Sequence, residues 1–269
     1  MNIYGLAFAT VAYCLIGTPA HALQCSVTAN DFQNWIQEYK TLAAQQGISA
    51  ETLSYLDGLT YATAVIKADR NQRHFNLSFE EFSAKKISGG RFTKGQALLR
   101  KHGNTLAQIE ARFGVPPEII VAIWGLETDY GVNMGKLPVL RSLATLAYDC
   151  RRSEFFHEHL LAALKIIDRG DKSADDLIGA WAGEIGQAQF LAGNYLAYAV
   201  DWDGDGRRDL IDSQPDVLAS IASFLAAKGW QAGEDYTPGL PNFDVIKAWN
   251  KADVYARTIV AFAKKLAGS

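Results

Sequence analysis

The chain has 269 residues, 49% of them hydrophobic, with a formal net charge of −3 and a pI near 6.0. That apolar content suffices for one sizeable core, in a single large domain or a domain with a small appendage, and the charge balance excludes the basic signature of a nucleic-acid partner. An anionic polymer stays admissible as a substrate, because a local cleft can differ from the average charge.

Residues 1–22 read as a secretory signal. Leu6 to Ile16 is a short apolar run, and Ala20-His21-Ala22 fits the small-x-small cleavage pattern. The run is too short for a comfortable membrane span. No Lys or Arg precedes it, which departs from the signal pattern, so an ordinary core segment is the competing reading. Lipidation at Cys25 is disfavoured because Gln24, before it, is not small. No other stretch is long and apolar enough to span a bilayer, and the mature chain is expected to be exported and soluble. Cleavage leaves Cys25 and Cys150. An even pair in an exported protein invites a disulfide closing a long loop; two unpaired thiols are the alternative.

The rest is helical in pattern. Phe32, Trp35, Ile36, Tyr39 and Leu42 follow helix spacing, stopped by Gly47. Shorter pieces follow around Ala50–Asp57 and Tyr61–Ala68. Ser78 with Glu81, and Thr93 with Gln96, have capping-box spacing. Leu99, Leu106, Ile109 and Phe113 put an apolar stripe on a helix entering the central segment. Ser153 can cap a helix carrying Phe156, Leu160, Leu164 and Ile167. Pro215 can open another, with Leu218, Ile221 and Leu225, closed by Gly229. A last helix runs near Ala252–Leu266. No sustained alternation predicts a large sheet. The expected class is mainly α, with an N-terminal helical subdomain at about residues 23–95 and an insertion at about residues 195–216.

The most informative segment is GVPPEIIVAIWGLETDYG, Gly114 to Gly131. Pro116 and Pro117 suit a helix start, Glu118 complements its positive end, and Gly131 is a natural stop. Ile119 to Trp124 and Leu126 leave no polar face, so the helix is predicted to be buried. Glu127 falls at its last turn. Burial and the negative helix end would both raise its pKa, as in a poised general acid; a surface glutamate closing a core helix is the plainer alternative. Asp129 is about 200° and Glu118 about 180° round from Glu127, so neither forms a dyad on its face.

DWDGDGRRDLID, Asp201 to Asp212, matches an EF-hand loop at Asp201, Asp203, Asp205 and Gly206. Arg207 would offer its carbonyl, and Asp209 would act directly or through water. Asp212, one methylene shorter than the usual glutamate, closes the loop less easily; Asp216 is a substitute. A solvated Asp/Gly turn is the alternative. A cation here would pin a loop. In WAGEIGQAQFLAGN, Trp181 to Asn194, Gly183 and Gly186 permit tight turns, Gln187 and Gln189 offer amides, and Glu184 is a possible second carboxylate. No Ser-His-Asp set, Cys-His set, zinc spacing or nucleotide fingerprint is legible.

Together these segments resemble the membrane-bound lytic murein transglycosylase B family of glycoside hydrolases. The likeness runs from about Ala97 to Tyr255 and includes MGKLPVLRSLATLAYDCRRSEFF and LASIASFLAAKGW. It implies a lysozyme-like helical core, of the goose-type and soluble lytic transglycosylase kind, with an EF-hand-like loop. The implied reaction cleaves peptidoglycan between N-acetylmuramic acid and N-acetylglucosamine and leaves a 1,6-anhydromuramyl end. Glu127 matches the catalytic glutamate. A single carboxyl suffices, because the muramic C6 hydroxyl replaces both nucleophile and water. Gln189, Asn250 and Tyr255 match saccharide-contacting positions. Arg151 and Arg152 match an arginine pair that meets the peptide stem or lactyl group, although a solvated helix start explains them equally. The Asp201 loop matches a structural calcium site. No organic cofactor and a monomer acting on glycan strands are expected. Departures fall at Ala180, at Glu184-Ile185 and at Leu191-Ala192-Gly193, where relatives often have serine, Ala-Met and Met-Pro-Ser. Glu184 near the cleft would raise the pKa of Glu127 further. A hydrolytic muramidase and a non-catalytic peptidoglycan-binding protein are the alternative functions.

Overall fold

In the computed structural model, residues 23–71 and 77–268 are described. The segment read as a signal, 1–22, lies outside them. The described chain is mainly helical: α1 (Phe32–Gln45), α2 (Ala50–Ser54), α3 (Thr63–Arg70), α4 (Phe79–Lys86), α5 (Gly89–Lys101), α6 (Gly103–Phe113), α7 (Pro117–Thr128), α8 (Val139–Tyr148), α9 (Ser153–Asp168), α10 (Ala192–Tyr198), α11 (Gln214–Ala227), α12 (Pro241–Trp249) and α13 (Asp253–Ala267). The sheet is a two-stranded antiparallel ladder of β1 (Leu137–Pro138) and β2 (Ile178–Gly179). Among the described residues no helix is long and apolar enough to cross a membrane.

Helix α7 is the axis of the core. Ile119 to Trp124 are fully buried, as its uninterrupted apolar run requires. Helices α13, α5, α11 and α6 pack around it. One contiguous apolar cluster runs from Phe32 to Leu266, so the first helices share their core with the last.

Several local expectations change. Ser78 and Glu81 form a full capping box on α4. Thr93 and Gln96 do not form one: Thr93 lies inside α5, which is capped by the Ser88 hydroxyl accepting the Arg91 N–H. The stripe from Leu99 to Phe113 belongs to two helices broken at His102, not to one. Ser153 does not cap α9; its hydroxyl donates to the Ala147 carbonyl at 2.6 Å, and Arg152 occupies the cap position. Helices α8, α10 and α12 go beyond the elements expected from spacing.

Cys25 and Cys150 are bonded, with their Cα atoms 4.9 Å apart. The bond fastens the start of the described chain to the α8–α9 corner, where the Ser26 N–H also donates to the Tyr148 carbonyl at 2.9 Å. The sequence separation is 125 residues. For so long a loop, replacing both cysteines by serine is expected to cost about 3–5 kcal/mol, read from urea unfolding of the oxidised protein and the variant.

Candidate active site

Glu127 is the penultimate residue of α7, and the way that helix ends decides where its side chain goes. The helix stops at Thr128, three residues before Gly131, because Asp129 and Tyr130 both take left-handed backbone conformations, with φ of 54° and 62°. Such residues cost energy unless their surroundings fix them. The Asp129 carboxylate pairs with Arg91 at 3.1 Å, and its carbonyl accepts from Lys94 at 3.0 Å. The Tyr130 ring tucks back beneath α7, where a Cβ on Gly125 would stand 2.7 Å from it, and its hydroxyl donates to the Arg91 carbonyl. The turn leaves Glu127 half-buried at the floor of a cleft of about 360 Å³.

Two donors meet one oxygen of Glu127. Trp249 Nε1 and the Tyr255 hydroxyl each donate to Oε1 at 2.8 Å. With Oε1 occupied as an acceptor, a proton on this carboxyl belongs on Oε2. Burial pushes the pKa of Glu127 up. The two hydrogen bonds and the Lys86 charge pull the other way, and Glu184 adds to the rise. Net, the group is held toward its acid form while keeping two donors ready to stabilise its anion.

The residues singled out from the sequence divide. Gln189, Glu184, Asn250 and Arg152 line the cleft with Glu127. Tyr255 is buried and sits behind Glu127, so it supports the carboxyl and is not a cleft wall. Arg151 is not in the cleft either; it lines a neighbouring depression beside Cys25 and Cys150. The Gln189 amide donates to the Met134 and Gly186 carbonyls, at 3.1 and 2.9 Å, and its oxygen has no partner among the described residues. Asn250 Oδ1 accepts the Ala252 N–H, and its NH2 group has no partner among the described residues. The Glu184 carboxylate folds back to accept the Ala182 N–H at 2.9 Å, and burial raises its pKa.

Gln187 is a core residue. Its backbone N–H donates to the Leu210 carbonyl and its amide to Ile211, both at 2.7 Å. In return it accepts from Trp124 Nε1 at 3.0 Å and from the Thr128 hydroxyl at 2.7 Å. Gly186 is needed here, with φ of 66°, since a Cβ would fall on the Leu210 carbonyl. Gln187 thus ties the end of α7 to the end of the Asp-rich loop.

In that loop the carboxylates of Asp201, Asp203 and Asp205 gather within 4.8 Å of one another. They accept from the Gly204, Gly206 and Arg207 N–H groups and the Ser213 hydroxyl, and none has an ion-pair partner among the described residues. Three such carboxylates suit a hard divalent cation. Asp212 does not join them. It pairs with Lys172 at 2.5 Å, as Asp209 does at 2.9 Å, because that ammonium neutralises the short twelfth-position side chain. Arg207 is exposed, its N–H given to Asp205 at 2.8 Å. Buried Asp216 accepts the Trp202, Asp203 and Asp209 N–H groups, so it pins the loop through backbone and not as a member of the cluster.

Sequence reading missed Trp249 and Lys86. An indole directly before Asn250 was the available signal for Trp249. Lys86, from α4, had none; its ammonium lies 5.7 Å from the Phe82 ring centroid, and Phe82 in turn meets Tyr255.

A family model described as the transglycosylase SLT domain matches residues 31–239. The membrane-bound lytic murein transglycosylase B of Escherichia coli K12 is 35% identical over 175 residues, covering 62% of this chain and 48% of that protein. The chain therefore spans about half the length of this curated relative. Among solved structures, SltB3 of Pseudomonas aeruginosa, in complexes with NAG-anhNAM-pentapeptide and NAG-NAM-pentapeptide, superposes with a TM-score of 0.84 at 34% identity, covering 89% of this chain and 80% of that one. The Escherichia coli lytic transglycosylase SLT35, solved in complex with calcium, has a TM-score of 0.77 at 25% identity, covering 94% and 98%.

Proposed function

The chain belongs to the transglycosylase SLT domain family, and from that premise we propose that it is an exported, periplasmic lytic transglycosylase acting on peptidoglycan. The observation that carries this reading is the Glu127 carboxyl, favoured in its acid form by burial and holding two donors on one oxygen. Its Oε2 proton goes to the glycosidic oxygen as the bond to C1 of N-acetylmuramic acid breaks. The C6 hydroxyl of the same sugar then attacks C1 and returns its proton to Oε2. Glu127 is restored, no water is consumed, and the new end is 1,6-anhydromuramic acid. Trp249 and Tyr255 stabilise the carboxylate between the two transfers. The Gln189 oxygen and the Asn250 NH2, which have no partner among the described residues, would take sugar hydroxyl and acetamido groups. SltB3 was solved with anhydro and non-anhydro muropeptides, which supports the same ligand class here.

A second carboxylate in the cleft, Glu184, keeps the hydrolytic muramidase as a competing reading. Its inward bond to Ala182 argues against it as a water-activating base. Digestion of purified sacculi with mass analysis of the soluble fragments separates the two: anhydro-ended muropeptides support the proposal, and reducing-ended ones refute it.

Calcium held by Asp201, Asp203 and Asp205 would brace the loop, and through Ile211 and Gln187 the end of α7. The complex of SLT35 with calcium supports that choice of cation. At calcium about a hundredfold above Kd, the ion is expected to add about 2.7 kcal/mol. A chelator should therefore lower the melting temperature, excess calcium should restore it, and Asp203→Asn should be insensitive to both.

A further inference from the structure

Asp69, at the end of α3, has no place in the reaction described above, yet it is 2% exposed and collects three guanidinium groups. Arg70 Nη1 donates to its Oδ2 at 2.7 Å, Arg151 Nη1 to its Oδ1 at 2.5 Å, and Arg152 Nη2 to the same Oδ1. Arg70 also bridges to both oxygens of Asp149, at 2.9 and 2.8 Å. Burial opposes ionisation of Asp69, but the Arg152 and Arg151 hydrogen bonds outweigh it, and its carboxyl lies below the usual range.

The two neighbouring arginines are used differently. Arg151 makes a second bond, from Nη1 to the Asp69 carbonyl at 3.1 Å, and faces the depression beside the disulfide. Arg152 has only the Nη2 bond to Asp69 among the described residues. Its guanidinium carbon lies 4.8 Å from the Phe156 ring centroid, and it lines the cleft with Glu127 as well as that depression, so it stands between the two. A guanidinium has five N–H donors in a fixed fork; with Nη2 on Asp69 and Nε buried without a partner among the described residues, the Nη1 edge of the part-exposed group is the open one. Three guanidiniums stand against the two carboxylates Asp69 and Asp149, and on its cleft side Arg152 also acts on the Glu184 carboxylate.

The geometry points to Asp69 as a positioning residue that anchors one edge of Arg152, so that its open edge meets a carboxylate carried by the bound muropeptide. This rests on the peptidoglycan reading of the cleft. Ordering Arg152 before the ligand arrives removes a rotamer cost from binding. Asp69 lies 83 residues from Arg152, in the part of the chain before the catalytic helix.

The test is calorimetric titration of the full-length mature protein with the GlcNAc-MurNAc disaccharide, with and without its pentapeptide stem. Wild type is expected to bind the stem-bearing form more tightly. Asp69→Asn should shrink that preference about tenfold, the scale of one charge-assisted hydrogen bond. Asp69→Glu keeps the charge for folding but displaces the anchor, and should shrink it about threefold. Arg70→Gln removes a neighbour of Asp69 without touching its bond to Arg152, and should leave the preference intact. No preference in wild type, an unchanged preference in the Asp69 variants, or an equal loss in Arg70→Gln would each overturn the assignment. Wild type that binds with preference but releases no fragments from sacculi would instead overturn the proposed activity and leave the role of Asp69 standing.

Discussion

Glu127→Gln is expected to abolish fragment release from sacculi, lowering the rate by about three orders of magnitude or more, while the fold survives. Glutamine can accept from Trp249 and Tyr255 through its carbonyl oxygen, as Oε1 does now. It has no proton to give and cannot take one back, so both halves of the reaction lose their only proton carrier. A general acid–base group contributes about 10²–10⁴-fold, and one group doing both jobs belongs at the upper end. The same variant has a stability signature with a definite sign. Burial raises the folded-state pKa of Glu127 above its unfolded value. Between the two values the folded protein binds more protons, so stability falls as pH rises through this window. Glutamine removes that loss. Melting temperatures of wild type and variant should therefore coincide most closely in acid and separate in favour of the variant toward neutral pH. Activity retained by Glu127→Gln, or a variant less stable than wild type at neutral pH only, would contradict this account.

The second large effect concerns the two donors. Removing Trp249 Nε1 with phenylalanine, or the Tyr255 hydroxyl with phenylalanine, deletes a hydrogen bond that lowers the pKa of Glu127. The acid form then persists to higher pH, so the alkaline limb of kcat should move upward in each variant. The maximum rate should nevertheless fall, because the carboxylate left after the first proton transfer loses a preorganised donor. Removing one such donor typically costs about 10²–10³ in kcat. A single phenylalanine is expected at the lower end of this range, since the other donor remains, and the double variant at the upper end. A pH–rate profile of each on solubilised glycan strands checks both signs at once. A limb that moves down, or a rate that is unchanged, would show that the donors do not act on the reacting carboxyl.

The helix that carries Glu127 was legible because its information is local. Prolines open it, the residues between Ile119 and Leu126 are apolar on every side, and Glu127 follows directly. Its ending was not legible. Asp129 and Tyr130 adopt left-handed backbone because Gly125 makes room for a ring and Arg91 waits for a carboxylate, and the last of these is 38 residues away. The Thr93–Gln96 pattern misled because capping-box spacing says nothing of an earlier competing cap. Ser88 won it despite the two glycines after it. The loop triad at Asp201, Asp203 and Asp205 was readable from alternate spacing. The diversion of Asp212 was not, since it depends on Lys172, 40 residues earlier. The arginine pair was visible as a pair, but its division needed Asp69. Trp249 reaches Glu127 across 122 residues, a contact that no periodicity encodes.

In the proposed reaction one carboxyl carries both proton transfers, and the sugar's own C6 hydroxyl, not water, attacks C1. Digestion of purified sacculi by wild type in water enriched in the heavy oxygen isotope separates the two attacking groups. The expected products are muropeptides with anhydro ends, lighter than hydrolysed ends by one water and carrying no isotope from the solvent. Reducing-end muramic acid labelled by solvent oxygen from the first turnover would contradict it, and would make Glu184 the base of a hydrolase.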